Sequence, residues 1–272
     1  MKNWIGVLFV AILSASACKQ DGAGGAQQQQ VSRAEELVNL LGGEWIALDF
    51  CARAGQYGSV LGSMNNAHLP YAYAFSFNPE EPDSVLCFNG VERWKRAIAI
   101  VEDTIEIKKA VQDKSVFLVY HSQEGRDMTM FDATKGRAQM DKFIKSQAKA
   151  KDGYAAFKVA LNHHLFNGVF TLKGGGATGP VQFTPGGFIV NLRDYDRYEL
   201  CTAGDCFVTG DLIDVVTFSN SKKDGSKVML GYRYDGTNDN LTICRLINTN
   251  PEEKSAYKVG PVLYEFSRKK AE

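Results

Sequence analysis

The chain lacks an excess of charge of either sign, because its 272 residues contain 31 Lys and Arg and 31 Asp and Glu. A surface that binds nucleic acid needs clustered basic residues to neutralise phosphates. The balance of charge therefore argues against a nucleic-acid partner. Hydrophobic residues make up 44% and aromatic residues 11% of the chain, which is enough for one large core or two small ones.

Recognisable catalytic and metal-binding motifs are also missing. No Gly-x-Ser-x-Gly nucleophile elbow occurs, and no lysine follows the glycine-rich stretch 174–179 as a phosphate-binding loop requires. Cys-x-x-Cys spacing is absent, and the adjacent His163 and His164 would point about 100° apart on a helix, which does not suit one metal ion. We therefore predict that the protein is not an enzyme and has no metal or cofactor.

The first thirty residues have no apolar run long enough to span a membrane. The run at 4–13 is short of the roughly 20 residues that a spanning helix needs. It follows Lys2 and precedes small residues, so residues 1–17 are predicted to be a secretory signal peptide. Cys18 follows Ser-Ala, which resembles the lipobox of bacterial lipoproteins. That resemblance implies cleavage before Cys18 and attachment of lipid to it; an ordinary signal peptide cleaved after Ala17 is the alternative.

The residue after the cysteine is Lys19 rather than aspartate, so the inner-membrane retention signal of enterobacterial lipoproteins is absent. We expect the outer membrane, with its periplasmic or surface face left open. Residues 18–30 contain no apolar residue larger than alanine after Cys18, so we interpret them as a flexible tether. The predicted partner at this end of the chain is therefore the membrane, through the lipid.

Five cysteines remain beyond Cys18, and an exported protein meets oxidising conditions that favour disulfides. Cys201 and Cys206 flank a four-residue turn and are the first predicted pair. Cys51 and Cys87 are the second predicted pair. Cys244 is left as a buried thiol.

The folded part starts with a predicted helix at 31–41, stopped by two glycines, and a strand at 44–50 that carries Trp45. Residues 52–70 are rich in glycine and asparagine; they leave room for a short helix and are the longest candidate for a lid. Period-two alternation then predicts strands at 71–77, 84–88, 96–101, 104–108, 115–121 and 127–132. Residues 134–165 carry apolar side chains at helical spacing in two stretches, which predicts a helical connector.

A second series of short strands is predicted at 168–173, 181–184, 187–192, 198–201, 206–209, 212–218, 228–234, 241–247 and 262–268. Four segments of the first series match segments of the second in the same order: 77–79 with 183–185, 98–107 with 206–215, 116–120 with 228–232, and 127–130 with 240–243. We interpret the match as an internal duplication. The predicted fold class is mainly β: two antiparallel barrel or sandwich units at 31–133 and 166–272, joined by the helical segment.

The opening Leu-x-Gly-x-Trp pattern appears as Leu41-Gly42-Gly43-Glu44-Trp45, with one extra glycine, and Phe170 replaces the tryptophan in the second half. With the order of segments, this resembles the lipocalin-like (calycin) proteins found among bacterial lipoproteins. The resemblance implies that the glycine and the aromatic residue close one end of an up-and-down barrel whose cavity takes a small apolar ligand.

Two functions remain open from the sequence. The first is a non-catalytic lipid-anchored protein that binds a small apolar ligand, or a host or envelope protein, with Tyr120, Tyr232, Tyr73 and Phe75 as candidate ligand-binding residues. The second is a structural or adhesive surface lipoprotein with filled barrels, whose long loops 52–70 and 173–180 contact other macromolecules.

Overall fold

We describe the fold from a computed structural model, over residues 35–64, 69–122, 127–132, 140–147, 153–203, 209–210, 213–223, 226–237, 239–252 and 256–269. The predicted signal peptide, Cys18 and the tether lie outside the described residues. Among the described helices, none is long and apolar enough to cross a membrane.

The helices are α1 (35–41), α2 (Leu48–Tyr57), α3 (Val60–Ser63) and α4 (Gly153–Leu165). The strands of the first half are β1 (Gly43–Ala47), β2 (Ala74–Phe77), β3 (Ser84–Phe88), β4 (Arg93–Val101), β5 (Thr104–Val111), β6 (Lys114–His121), β7 (Asp127–Asp132) and β8 (Met140–Lys145). The strands of the second half are β9 (Gly168–Leu172), β10 (Ala177–Phe183), β11 (Ile189–Leu192), β12 (Arg197–Leu200), β13 (Thr209–Gly210), β14 (Asp214–Ser219), β15 (Lys227–Asp235), β16 (Asn240–Asn248) and β17 (Ala256–Arg268).

The first half is a closed barrel in which eight antiparallel strands follow one another in chain order. Pairing of β1 with β8, which places Trp45 opposite Lys145, completes the circle. Closure pairs the backbone N–H and C=O groups that an edge strand would leave exposed, because no strand lies at an open edge.

The second half has the same order of strands, with β12 and β14 in the places of β4 and β5. Its path runs from β11 through β10, β9, β17, β16, β15 and β14 to β12. An isolated bridge between Phe188 and Arg197, flanked by a bond from the Tyr198 amide to the Gly187 carbonyl (2.8 Å), brings β12 back to β11. β13 stands outside this path and pairs in parallel with β17. The chain therefore contains two eight-strand antiparallel barrels, as the predicted fold class and duplication required.

Both barrels begin with the same motif, a helix followed by a glycine and a buried aromatic residue. Trp45 and Phe170 are each the third residue of the first strand, and both are fully buried. Gly43 has a φ of 110°, a conformation open mainly to glycine, and a Cβ at Gly168 would collide with the Arg268 guanidinium. In each barrel, the glycine that follows the helix is thus the first residue of the first strand.

The barrels are stacked end to end. α1 lies at the outer end of the first barrel, where the Trp45 indole donates to the Leu41 carbonyl (2.7 Å). At the other end of that barrel, Phe50 of α2 and Tyr73 contact Phe157 of α4, with ring centroids 5.9 and 4.8 Å away. α4 in turn leads into the second barrel, so one continuous cluster of buried residues runs through both barrels.

Three predictions about elements were wrong in part. The strand expected at 44–50 ends at Ala47, because residues 48–50 begin α2, which buries Phe50, Cys51 and Ala54 between the barrels. The short helix considered for 52–70 is present, since this region contains the end of α2 and all of α3.

The stretch at 140–147, expected to be helical, contains β8. Its buried side chains Asp141 and Phe143 alternate with exposed Lys142, which is the period of a strand.

The repeat of β4 is β12 at 197–200 rather than 206–209; Cys206, Phe207 and Val208 lie outside the described residues, and Thr209 belongs to β13.

Candidate binding site

The four residues predicted to bind a ligand are all buried in the core. Tyr120, Tyr232, Tyr73 and Phe75 are at most 6% exposed. Tyr120 packs edge-on against Trp45, and Phe75 packs against Phe143 with centroids 5.0 Å apart. Their rings pack in the interior, and Tyr232 also borders a solvent-open cavity of about 170 Å³ between the two halves.

Aromatic rings occupy the second barrel along its length. Phe166, at the end of α4, contacts Phe183, Tyr198 and Tyr232, with centroids 5.0 to 5.7 Å apart. The series continues through the Phe183–Phe266 and Phe266–Tyr264 contacts, at 5.4 and 5.8 Å. Four cavities formed by the described residues, about 170 to 510 Å³ in volume, all open to solvent. The apolar chamber that the family resemblance implies therefore has no counterpart among these cavities.

Tyr232 has a polar role of a different kind, because it helps to join the two halves. Its hydroxyl accepts a bond from the Val60 amide and donates to the Asp214 carboxylate, both at 3.4 Å. Asp214 also accepts from the Ser59 hydroxyl and, at 2.9 Å, from the Leu61 amide. The carboxylate of the second barrel thereby satisfies the start of α3, which belongs to the first half.

The predicted disulfide between Cys51 and Cys87 is wrong, since both are free, buried thiols. Cys51 lies on α2, which packs against β8 and α4, whereas Cys87 lies in β3 between β2 and β4. Burial raises the pKa of Cys87 to about 12 and raises the pKa of Cys51 as well. Cys244 is a free, buried thiol, as expected. Cys206 lies outside the described residues, so its bond with Cys201 stays a prediction.

The described histidines lie on β6 and α4. His163 and His164 have ring centroids 5.6 Å apart in an edge-on arrangement, and burial with the neighbouring His163 lowers the pKa of His164. Among the residues that the structure describes, no group of three or more His, Cys, Asp or Glu side chains could hold a metal ion.

One barrel end differs from the other three. α1, α2 and α4 lie at the two ends of the first barrel and at the Gly168 end of the second. At the remaining end, which we call the open end, the described chain forms the turns 173–176, 193–196 and 220–226, the last of these in part, and the β16–β17 hairpin extends past this end to Asn248. This end lies opposite α1, at the far end of the stack.

The open end is lined by partly buried tyrosines. Tyr195 lies 6.5 Å from Tyr264 and 5.4 Å from Phe218, all measured between ring centroids. The Tyr264 hydroxyl is 3.5 Å from the Asp194 carboxylate. Partial burial and the negative charge of Asp194 raise the pKa of Tyr264 to about 12 and raise the pKa of Tyr195, so both remain neutral hydrogen-bonding groups at physiological pH.

The turns around these rings are bonded to one another. The Asn220 side-chain amide donates to the Asp194 carbonyl (2.9 Å), and the Asp196 carboxylate accepts from the backbone and side chain of Ser221. Those bonds lower the pKa of Asp196. By contrast, a Cβ at Gly174 or Gly175 would meet nothing within 4 Å, so this part of the turn 173–176 projects into solvent. The open end thus presents a fixed aromatic floor beside an unobstructed loop.

Sequence reasoning found this surface only in part. The sequence predicts the 173–180 loop as a contact surface, but it does not single out Tyr264. The signal for Tyr264 is the alternation of Val262, Tyr264 and Phe266 in the last strand, which does not tell which end of a barrel a residue reaches.

No family model, no curated protein and no solved structure matches the chain.

Proposed function

We propose that this is a lipid-anchored lipoprotein of the cell envelope, with lipocalin-like barrels, that binds a macromolecular partner without catalysing a reaction. The contact surface in this proposal is the open end of the second barrel. The observation that carries the proposal is the run of ring contacts from Phe166 to Tyr264, which fills the barrel and leaves tyrosines at its mouth.

The chemistry of the open end supports a protein partner. Tyrosine offers a large apolar face and a hydroxyl at little cost in side-chain entropy, and it is enriched in protein interfaces. Tyr195 and Tyr264 combine both properties with partial exposure. An apolar ligand inside a barrel, the other function that the sequence left open, has less support because the predicted ligand-binding residues pack in the core.

The position of the open end agrees with anchoring through Cys18. The described chain begins at residue 35, beside the outer end of the first barrel, and the open end lies beyond the second barrel. A tether that ends at α1 would hold the stack with its tyrosines directed away from the membrane.

Site-directed photo-crosslinking in cells that produce the protein tests the contact surface. With p-benzoylphenylalanine at position 195, we expect one discrete crosslinked product that is lost when Tyr264→Ala is added. The same photo-reactive residue at position 108, exposed on β5 of the first barrel, is the matched control and should give no such product. Equal products from both positions, or a product indifferent to Tyr264→Ala, would rule out the open end as the contact surface.

The anchor has its own test. Cys18→Ser should move the protein from the membrane fraction to the soluble fraction and abolish incorporation of radiolabelled palmitate. An unchanged membrane fraction would refute anchoring through Cys18.

A further inference from the structure

A groove on the outer wall of the second barrel lies between α4 and strands β12 and β14. Its volume is about 480 Å³, which is in the range of small-ligand pockets. Ala155, Lys158, Val159 and Asn162 form the side that belongs to α4. The Asn162 amide donates to the Pro185 carbonyl (2.9 Å) and fixes the helix against the barrel at this point.

Strand register places a row of polar side chains along the floor. Arg197 is opposite Ser219, and Ser219 is opposite Lys227, so the three lie side by side on the outer face of β12, β14 and β15. Directly opposed residues have Cβ atoms about 5 Å apart, which puts the two cations within reach of one small ligand. The hydroxyl of Ser219 lies between them.

Each cation of the row is accessible. The Arg197 guanidinium lies over the exposed ring of Phe188, 3.6 Å from its centroid, which holds the planar group against the wall and leaves its edge open. Lys227 is exposed at the end of β15.

The acidic groups nearby already have partners. Glu199 forms an ion pair with Lys158 of α4, and Asp196 is bonded to Ser221 and also feels the charge of Arg197. Three cations and one carboxylate line the groove of a protein with no net charge, so the groove carries local positive charge.

We propose that this groove binds a ligand with two or more oxyanion groups, one contacting Arg197 and another contacting Ser219 and Lys227. Arginine and lysine form charge-assisted hydrogen bonds with carboxylates and phosphates, and these are stronger than bonds between neutral groups. The Ser219 hydroxyl supplies a further donor. The row lies on the outer wall beside two turns of the open end, and this proposal does not depend on the function proposed there.

Isothermal titration calorimetry on residues 31–272 with citrate, pyrophosphate and an acidic hexapeptide tests the site. Citrate or pyrophosphate binding would identify a small anionic ligand, and binding of the peptide alone would identify an acidic protein segment. Arg197→Met and Lys227→Met should each raise the Kd of the bound probe about ten-fold, the loss expected for one charge-assisted hydrogen bond.

Lys108→Met removes an exposed lysine from the first barrel and is the control for charge; it should leave the Kd unchanged. Lys227 is exposed, so its variant tests the site even if Arg197→Met folds poorly. No binding of any probe at low salt, or binding that Lys227→Met leaves unchanged, would overturn the proposal.

Discussion

Asp214 joins the two barrels through a carboxylate that is mostly withdrawn from water. Burial raises its pKa, although bonds from Ser59, Leu61 and Tyr232 oppose that rise by favouring the charged form. A carboxyl group with a raised pKa in the folded state binds protons more tightly there than in the unfolded chain. Its contribution to stability is therefore fully present below the unfolded pKa and is lost as the pH rises through the folded pKa.

Asp214→Asn should reveal this dependence, because asparagine keeps the shape and does not ionise. We expect the melting temperature of the wild type to fall relative to that of Asp214→Asn as the pH rises from 4 to 8, measured by differential scanning calorimetry. Asp83→Asn, an exposed carboxylate on the first barrel, is the control. If the wild type instead gains stability relative to Asp214→Asn over this range, the pKa of Asp214 is not raised in the folded state.

The buried thiols give a second test at single residues. In the chain from residue 31 onward, Cys51 and Cys87 should resist a thiol reagent at pH 8, because burial raises the pKa of both groups and shields them. After denaturation without reductant, three thiols should react if Cys201 and Cys206 are bonded. Five reactive thiols would exclude that bond. Rapid reaction of Cys87 in the folded protein would contradict its place in the core.

At the scale of elements, each barrel is closed by a basic residue of its last strand. Arg268 lies opposite Phe170 and donates to the carbonyls of Asn167 and Leu165, and Lys145 lies opposite Trp45 and donates to the Leu40 carbonyl. In both barrels the cation thus satisfies carbonyls at the end of the preceding helix. The duplication extends to this contact.

The two closures differ in burial, so the same substitution should have different costs. Arg268 is 22% exposed, lies over the Phe170 ring and forms an ion pair with Asp239, whereas Lys145 is exposed. Arg268→Met should lower the free energy of unfolding by about 2–4 kcal/mol, since carbonyls and a carboxylate lose a charged donor. Lys145→Met should cost under about 1 kcal/mol. Urea denaturation measures both, and equal costs would contradict the account.

Several elements could be predicted from the sequence because their signals are local. Glycine before Trp45 and before Phe170 marked the start of each barrel, and alternation of apolar and small residues marked β2, β5 and β6. β8 was missed because its apolar positions also fit a helix, and only pairing with β1 and β7 decides between the two. The start of α2 was assigned to the first strand because residues 48–50 also fit a strand, while the burial of α2 between two barrels is a property of the assembled chain.

At the scale of the molecule, the two barrels share one core, and α4 belongs to both. Tyr73 of the first barrel stacks on Phe157 and donates to the Thr202 carbonyl (3.4 Å) of the second half. Of the candidate site, the 173–180 loop was predicted, whereas the tyrosines beside it depend on which barrel end is uncovered. Which end is uncovered follows from the end-to-end packing of the two barrels, and no local sequence pattern predicts that packing.

A shared core predicts that both barrels unfold together. In residues 31–272 both tryptophans, Trp45 and Trp94, lie in the first barrel, so their fluorescence follows that barrel alone. Reactivity of Cys244 follows the second barrel. The two signals should change at the same urea concentration, within experimental error. Separate midpoints would show that the barrels are independent units.

Native mass spectrometry of the gently purified chain, from residue 31 onward, tests the central claim that the barrels are filled. The account predicts the bare polypeptide mass, unchanged when palmitate or phospholipid is added in excess, because aromatic side chains occupy the interiors. A stoichiometric fatty acid or other lipid that remains bound, and that is lost in a Phe183→Trp variant with a larger interior side chain, would contradict it. That result would make the protein a carrier.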